Sequence, residues 1–75
     1  MVPLLPTVSG NDVVRAFERL GWRVARQRGS HIIMTRDNHR ATLSVPNHDP
    51  VAKGTLRGLI RAVGLSVEEF LSELN

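Results

Sequence analysis

The spacing of the apolar residues changes twice along this chain, and those two changes constrain its architecture more tightly than any other feature. Val13, Val14, Phe17 and Leu20 recur at helical intervals, preceded by Ser9 with Asp12 three residues later in the pattern of a short capping box. Gly21 then offers the left-handed cap that ends many helices. A first helix is expected over 10–20, with Arg15, Glu18 and Arg19 off its apolar stripe. From Trp22 the spacing falls to two. A strand over 22–28 should point Trp22 and Val24 inward and Arg23, Ala25 and Gln27 outward. Gly29-Ser30 turns the chain into a second strand over 31–36, where Ile32 and Met34 outvote Ile33 for the inward face. Asp37-Asn38 is turn chemistry. The third strand, 40–45, alternates Ala41, Leu43 and Val45 in with Arg40, Thr42 and Ser44 out. After Pro46 the helical interval returns.

That second change opens a helix over 53–63, striped by Leu56, Leu59, Ile60 and Val63 and stopped by Gly64. Ser66 and Glu69 form a full capping box for a short last helix carrying Val67, Phe70, Leu71 and Leu74. The lead-in, with Pro3 and Pro6, should be extended, with Leu4 and Leu5 against the body. The fold class is α+β: an α-β-β-β-α order with a short C-terminal helix, a three-stranded antiparallel sheet, and the helices on one face. Double-stranded-RNA-binding domains have this order. The other face would carry Arg23, Ala25, Gln27, His31, Ile33, Thr35, Arg40, Thr42 and Ser44.

Seventy-five residues suffice for one domain over 1–75. With no cysteine, disulfides and thiolate metal sites are excluded. The core must come mainly from Leu, Ile and Val, because only Phe17, Trp22 and Phe70 are aromatic. So few rings argue against a surface that stacks unpaired bases on aromatics. The formal charge of +3 is spread unevenly. Arg15, Arg19, Arg23, Arg26, Arg28, Arg36 and Arg40 face only Asp12, Glu18 and Asp37 in the front half, while Glu68, Glu69 and Glu73 close the chain. A basic front is the footprint of a phosphate partner. No apolar run approaches the roughly 18 residues a membrane span needs. The start of the chain lacks the pattern of a signal peptide, so a cytoplasmic location is expected.

The stretch with the most chemistry is Arg26-Gln27-Arg28-Gly29-Ser30-His31. Arginine and glutamine bind phosphates and 2′-hydroxyls, glycine admits an anion to backbone N–H groups, and histidine exchanges protons near neutral pH. The same residues also fit a plain hairpin turn with His31 at a strand edge. RNA supplies its own nucleophile, the 2′-hydroxyl beside each phosphodiester. A histidine to move the proton and cations to hold the phosphate oxygens are enough to cleave it. His31 is the candidate general acid/base, and Arg26, Gln27, Arg28, Gly29 and Ser30 are candidates for RNA binding, although Ser30 fits a turn role equally well. Lys53, opening the second helix, is placed for a phosphate contact. His48, in the loop 46–50, is the candidate second proton-transfer group if that loop shares a sheet end with His31; otherwise it only bonds its own turn. His39 is expected to be solvated. Asp37 and Asp49 sit apart in turns and the glutamates elsewhere, so neither a metal site nor a cofactor is expected.

With its order and motifs laid out, the chain resembles the HicA-type (YcfA-like) toxins of bacterial and archaeal toxin–antitoxin pairs. The residues that carry the resemblance are Leu5-Pro6, Ser9-Gly10, Leu20-Gly21-Trp22, the run Arg26 to His31, Val45-Pro46-Asn47-His48, Gly54-Thr55-Leu56, and Gly64-Leu65-Ser66-Val67-Glu68-Glu69-Phe70. Trp22 departs from the usual phenylalanine or tyrosine, which touches only the core. The resemblance implies a double-stranded-RNA-binding-like fold, endoribonuclease activity toward mRNA without a metal, a catalytic histidine at His31, and inhibition by a HicB-like antitoxin. Two other functions fit the same residues: a non-catalytic RNA-binding module, and a basic domain that meets an acidic protein partner.

Overall fold

The computed structural model describes residues 5–74. Its elements are α1 (Gly10–Arg19), β1 (Arg23–Arg28), β2 (His31–Thr35), β3 (Leu43–Pro46), α2 (Lys53–Ala62) and α3 (Val67–Leu71). The strands form one antiparallel sheet in the order β1-β2-β3. α1 packs on β1 and β3, and α2 packs on β3. This is the α+β, double-stranded-RNA-binding-like arrangement that the two changes of spacing predict.

Both capping boxes form. The Ser9 hydroxyl accepts from the Asp12 N–H at 3.2 Å, and the Asp12 carboxylate accepts from the Ser9 N–H at 3.4 Å. Ser66 and Glu69 do the same at 3.0 and 2.9 Å. Each box satisfies two backbone donors that a helix start would otherwise leave unpaired. α2 has no such device, because Ala52 precedes it. The helical stripes meet the inner sheet face in one core, where Phe17, Met34, Val45, Leu56 and Phe70 are fully buried. The Phe17 and Phe70 rings lie 5.3 Å apart at 52° and tie α3 to α1. Arg19 adds a bond from Nη1 to the Glu73 carbonyl at 2.7 Å. Leu5 is buried against the body, as expected; the matching expectation for Leu4 falls outside the described residues.

The sheet departs from strict alternation in two places. In β1, Val24 pairs with Met34 and Arg26 pairs with Ile33, so Ala25 is an extra residue with no partner, a β-bulge. Beyond it the faces exchange: Gln27 lies opposite Ile32 on the helix side, and Arg26 and Arg28 join the open face. Gln27 is therefore not an open-face residue, and its amide instead donates to the Gly29 carbonyl at 3.2 Å. Val24 keeps its inward side, opposite Met34, but is 45% exposed on this edge strand.

The second departure is in the approach to β3, which starts at Leu43 rather than at 40. Asn38 takes a positive φ of 65° and the His39 N–H donates to the Arg36 carbonyl at 3.2 Å. His39 Nδ1 then accepts from the Ala41 N–H at 3.2 Å, using the donor a ladder would need. Its ring packs on Trp22 at 4.9 Å. His39 is thus half-buried rather than solvated, and Ala41 is only half-buried.

β3 runs one residue past the expected 45, and Pro46, opposite His31, is its last paired residue. A proline is tolerated there because β3 is an edge strand. The Asn47 N–H donates to the Ser30 carbonyl at 2.6 Å, the Gly10 N–H to the His48 carbonyl at 2.8 Å, and the Val51 N–H to the Val8 carbonyl at 2.8 Å. The loop after the sheet is therefore sewn to the start of α1.

Candidate nucleic-acid interface

The open face is organised by the strand register. Arg28, His31 and Pro46 form one cross-strand row; Arg26, Ile33 and Ser44 form the next; Arg23 and Thr35 form a third. Residues opposite one another in an antiparallel ladder share a face. The bulge at Ala25 is what puts all three arginines of β1 on the side of His31, since unbroken alternation would send Arg26 and Arg28 toward the helices. Arg28, His31, Ile33 and Ser44 line a shallow depression of about 310 Å³.

The cations differ in their freedom. Arg23 Nη2 lies 2.9 Å from Asp37 Oδ1, with both side chains largely in solvent, a pair worth little that still occupies part of its charge. Among the described residues Arg26 and Arg28 have no carboxylate partner. His31 is exposed, and among the described residues no hydrogen bond holds its ring.

Other candidates lie around this centre. Gly29, with φ of 57°, makes the β1–β2 turn, a conformation that favours glycine. Ser30 follows it, exposed, with its carbonyl taken by Asn47. His48 stands two residues past Pro46, the partner of His31, so its loop and the start of β2 do share one end of the sheet. The His48 carbonyl is held by Gly10 while its side chain is exposed. Lys53 is exposed at the start of α2, in the helix layer rather than on the sheet face. Gln27 braces the turn from the other face. The structure thus gathers Arg26, Arg28 and His31, sets His48 at the same end, and leaves Gln27 and Lys53 apart.

Ile33 and Ser44 line the depression although chemical type alone did not single them out. Alternation in the second and third strands already put both on this face, and their shared row was the missing signal. Among the described residues no three His, Cys, Asp or Glu side chains converge as a metal site would require. No helix among them is long and apolar enough to cross a membrane.

None of the curated proteins compared with the chain matches it. A family model described as the HicA toxin of bacterial toxin–antitoxin systems matches residues 10–65. That span runs from the first residue of α1, through the sheet and the row containing His31, to the turn after α2, and stops short of α3. Most of the sequence lies within the match, every strand of the candidate interface included: the chain belongs to the HicA toxin family.

Proposed function

We propose that this toxin is an endoribonuclease that cleaves mRNA without a metal, using His31 to move the proton. His31 takes the proton from a 2′-hydroxyl as its oxygen attacks the adjacent phosphorus. The bond from phosphorus to the 5′-oxygen breaks, and that oxygen takes up a proton from His48, whose loop lies at the same sheet end. The products are a 2′,3′-cyclic phosphate and a 5′-hydroxyl. Arg26 and Arg28, with the Gly29 and Ser30 N–H groups, hold the phosphate oxygens as charge grows on them. Gln27 contributes through the turn it braces, and Lys53 through a more distant phosphate. Since the substrate is mRNA, the working compartment is the cytoplasm, and the cognate antitoxin is a HicB-like protein that covers the His31 face.

The observation that carries this reading is an exposed His31 in the same row as an unpaired Arg28. The decisive experiment is His31→Ala, compared with the wild-type chain for growth inhibition, RNA cleavage and RNA affinity. Cleavage and growth arrest should disappear while affinity changes by less than about tenfold, the loss of one modest contact. A His31→Ala protein that still cuts RNA refutes the assignment. A non-catalytic RNA-binding module is the second reading, favoured by the lack of an orienting bond on the His31 ring. It predicts that the wild-type protein binds RNA and leaves it intact.

A further inference from the structure

We infer that Ile33 and Ser44 form a subsite for one unpaired nucleobase beside the scissile phosphate. The inference rests on the RNA-cleavage reading and narrows its substrate to RNA whose bases at the cut are out of the duplex stack.

The depression on the open face has two unlike halves. One is the cross-strand pair Arg28 and His31, which suits a phosphate and its proton. The other is the pair Ile33 and Ser44, uncharged themselves, with Arg26 across from Ile33 at the outer strand. Ile33 is half-buried there and gives this half an apolar floor, while Ser44 is exposed beside it. Among the described residues the Ser44 hydroxyl makes no hydrogen bond within the chain, so it is free both to donate and to accept. A nucleobase has the complementary form, with apolar faces and a polar edge.

The spacing agrees. His31 and Ile33 are two residues apart on one strand, a separation of about 6.5 Å. That is comparable to the distance from a phosphate to the base of the nucleotide bearing it. A chain lying with its phosphate against Arg28 and His31 therefore brings a flanking base over Ile33, with an edge toward Ser44. A base inside an A-form duplex cannot lay a face on this floor, because its stacked neighbours cover both faces. The chain has few aromatic residues, and here an aliphatic side chain takes the place of a stacking ring.

The test uses the His31→Ala protein, so that binding is read without cleavage. Its affinity is measured for short homopolymeric oligoribonucleotides of A, C, G and U and for an abasic ribose-phosphate oligomer of the same length. The His31→Ala protein should prefer one or two bases over the abasic chain. Adding Ser44→Ala should reduce that preference by roughly three- to tenfold, the value of one hydrogen bond, with abasic binding unchanged. Adding Ile33→Ala should weaken all four homopolymers relative to the abasic chain. Because Ile33 is half-buried, its variant is checked by thermal unfolding, and the exposed Ser44→Ala decides the question if Ile33→Ala does not fold. If RNA binds but all four bases and the abasic chain bind alike, or Ser44→Ala keeps the full preference, the subsite is refuted and RNA binding survives. If no RNA binds, the broader reading fails and takes the subsite with it.

Discussion

Gly10 and Gly58 are both helical glycines, and replacing each with alanine should move stability in opposite directions. A Cβ built at Gly10 collides with the Pro46 carbonyl oxygen and comes within 2.9 Å of Asn47 Cα and 3.3 Å of the His48 nitrogen. All of these are backbone atoms of a loop tied down at Ser30, Gly10 and Val8, so they cannot swing aside as a side-chain tip would. Overpacking of this kind costs about 1–3 kcal/mol. Moving the loop away also strains the bond from the Gly10 N–H to the His48 carbonyl, worth about 1 kcal/mol. The better helix propensity of alanine returns at most about 1 kcal/mol, and less at the first helical position. The net loss is about 2 kcal/mol. At Gly58, by contrast, a Cβ meets nothing within 4 Å, so Gly58→Ala should gain about 0.4–1 kcal/mol.

A domain of this size is stabilised by only about 4–11 kcal/mol, so a loss of 2 kcal/mol is a large fraction. Thermal unfolding followed by circular dichroism should show Gly10→Ala melting about 8–16 °C below the wild type and Gly58→Ala melting a few degrees above it. Amide exchange adds a local readout. The Asn47 N–H, bonded to Ser30 at 2.6 Å, should exchange faster in Gly10→Ala than in the wild type. If Gly10→Ala melts at or above the wild-type temperature, the close approach of α1 to the Pro46–His48 backbone is not what anchors that loop.

The two unpaired arginines should be visible in the salt dependence of RNA binding. Each of Arg26→Ala and Arg28→Ala should lower the slope of log affinity against log salt by about 0.7, and the double variant by about 1.4. Arg23→Ala should change it less, since Asp37 already sits 2.9 Å from that guanidinium. Deleting Ala25 removes the bulge yet restores plain alternation with Val24 inward and Arg26 and Arg28 outward, so the salt slope should be kept. The flatter edge strand should self-associate more readily in sedimentation, and a slope that drops to that of the double variant would show the arginines had turned away.

Most of the fold was legible because local signals and the global arrangement agree. The capping boxes at Ser9 and Ser66 and the stripes through Phe17 and Leu56 specify helices that the core then uses without conflict. The reading failed where a side chain competed with the ladder. His39 satisfies the Ala41 N–H and packs on Trp22, a contact between residues far apart in the chain that no pattern of spacing encodes. The turn therefore runs longer and β3 starts later. The strand over 40–45 extends by one residue to Pro46, because an edge strand needs no donor on its outer side.

The candidate site was harder to read because two kinds of evidence disagreed within one strand. Chemical type singled out Arg26, Gln27 and Arg28 together as RNA ligands, while alternation from Trp22 put Ala25 and Gln27 on the open face and the two arginines behind it. Both cannot hold in a regular strand, since residues 26 and 28 always face away from 25 and 27. An inserted residue reconciles them. With Ala25 out of register, Arg23, Arg26 and Arg28 all stand on the side of His31, and Gln27 turns away to bond Gly29. Two features of β1 favour a bulge at that point: it is an edge strand, with only one neighbour to disturb, and alanine leaves no large side chain to bury. The general consequence concerns how such strands are read. Where residues suited to one chemistry fall on both faces of a predicted edge strand, a single-residue bulge between them is the economical reconciliation, and the register of the neighbouring strand is the measurement that decides it.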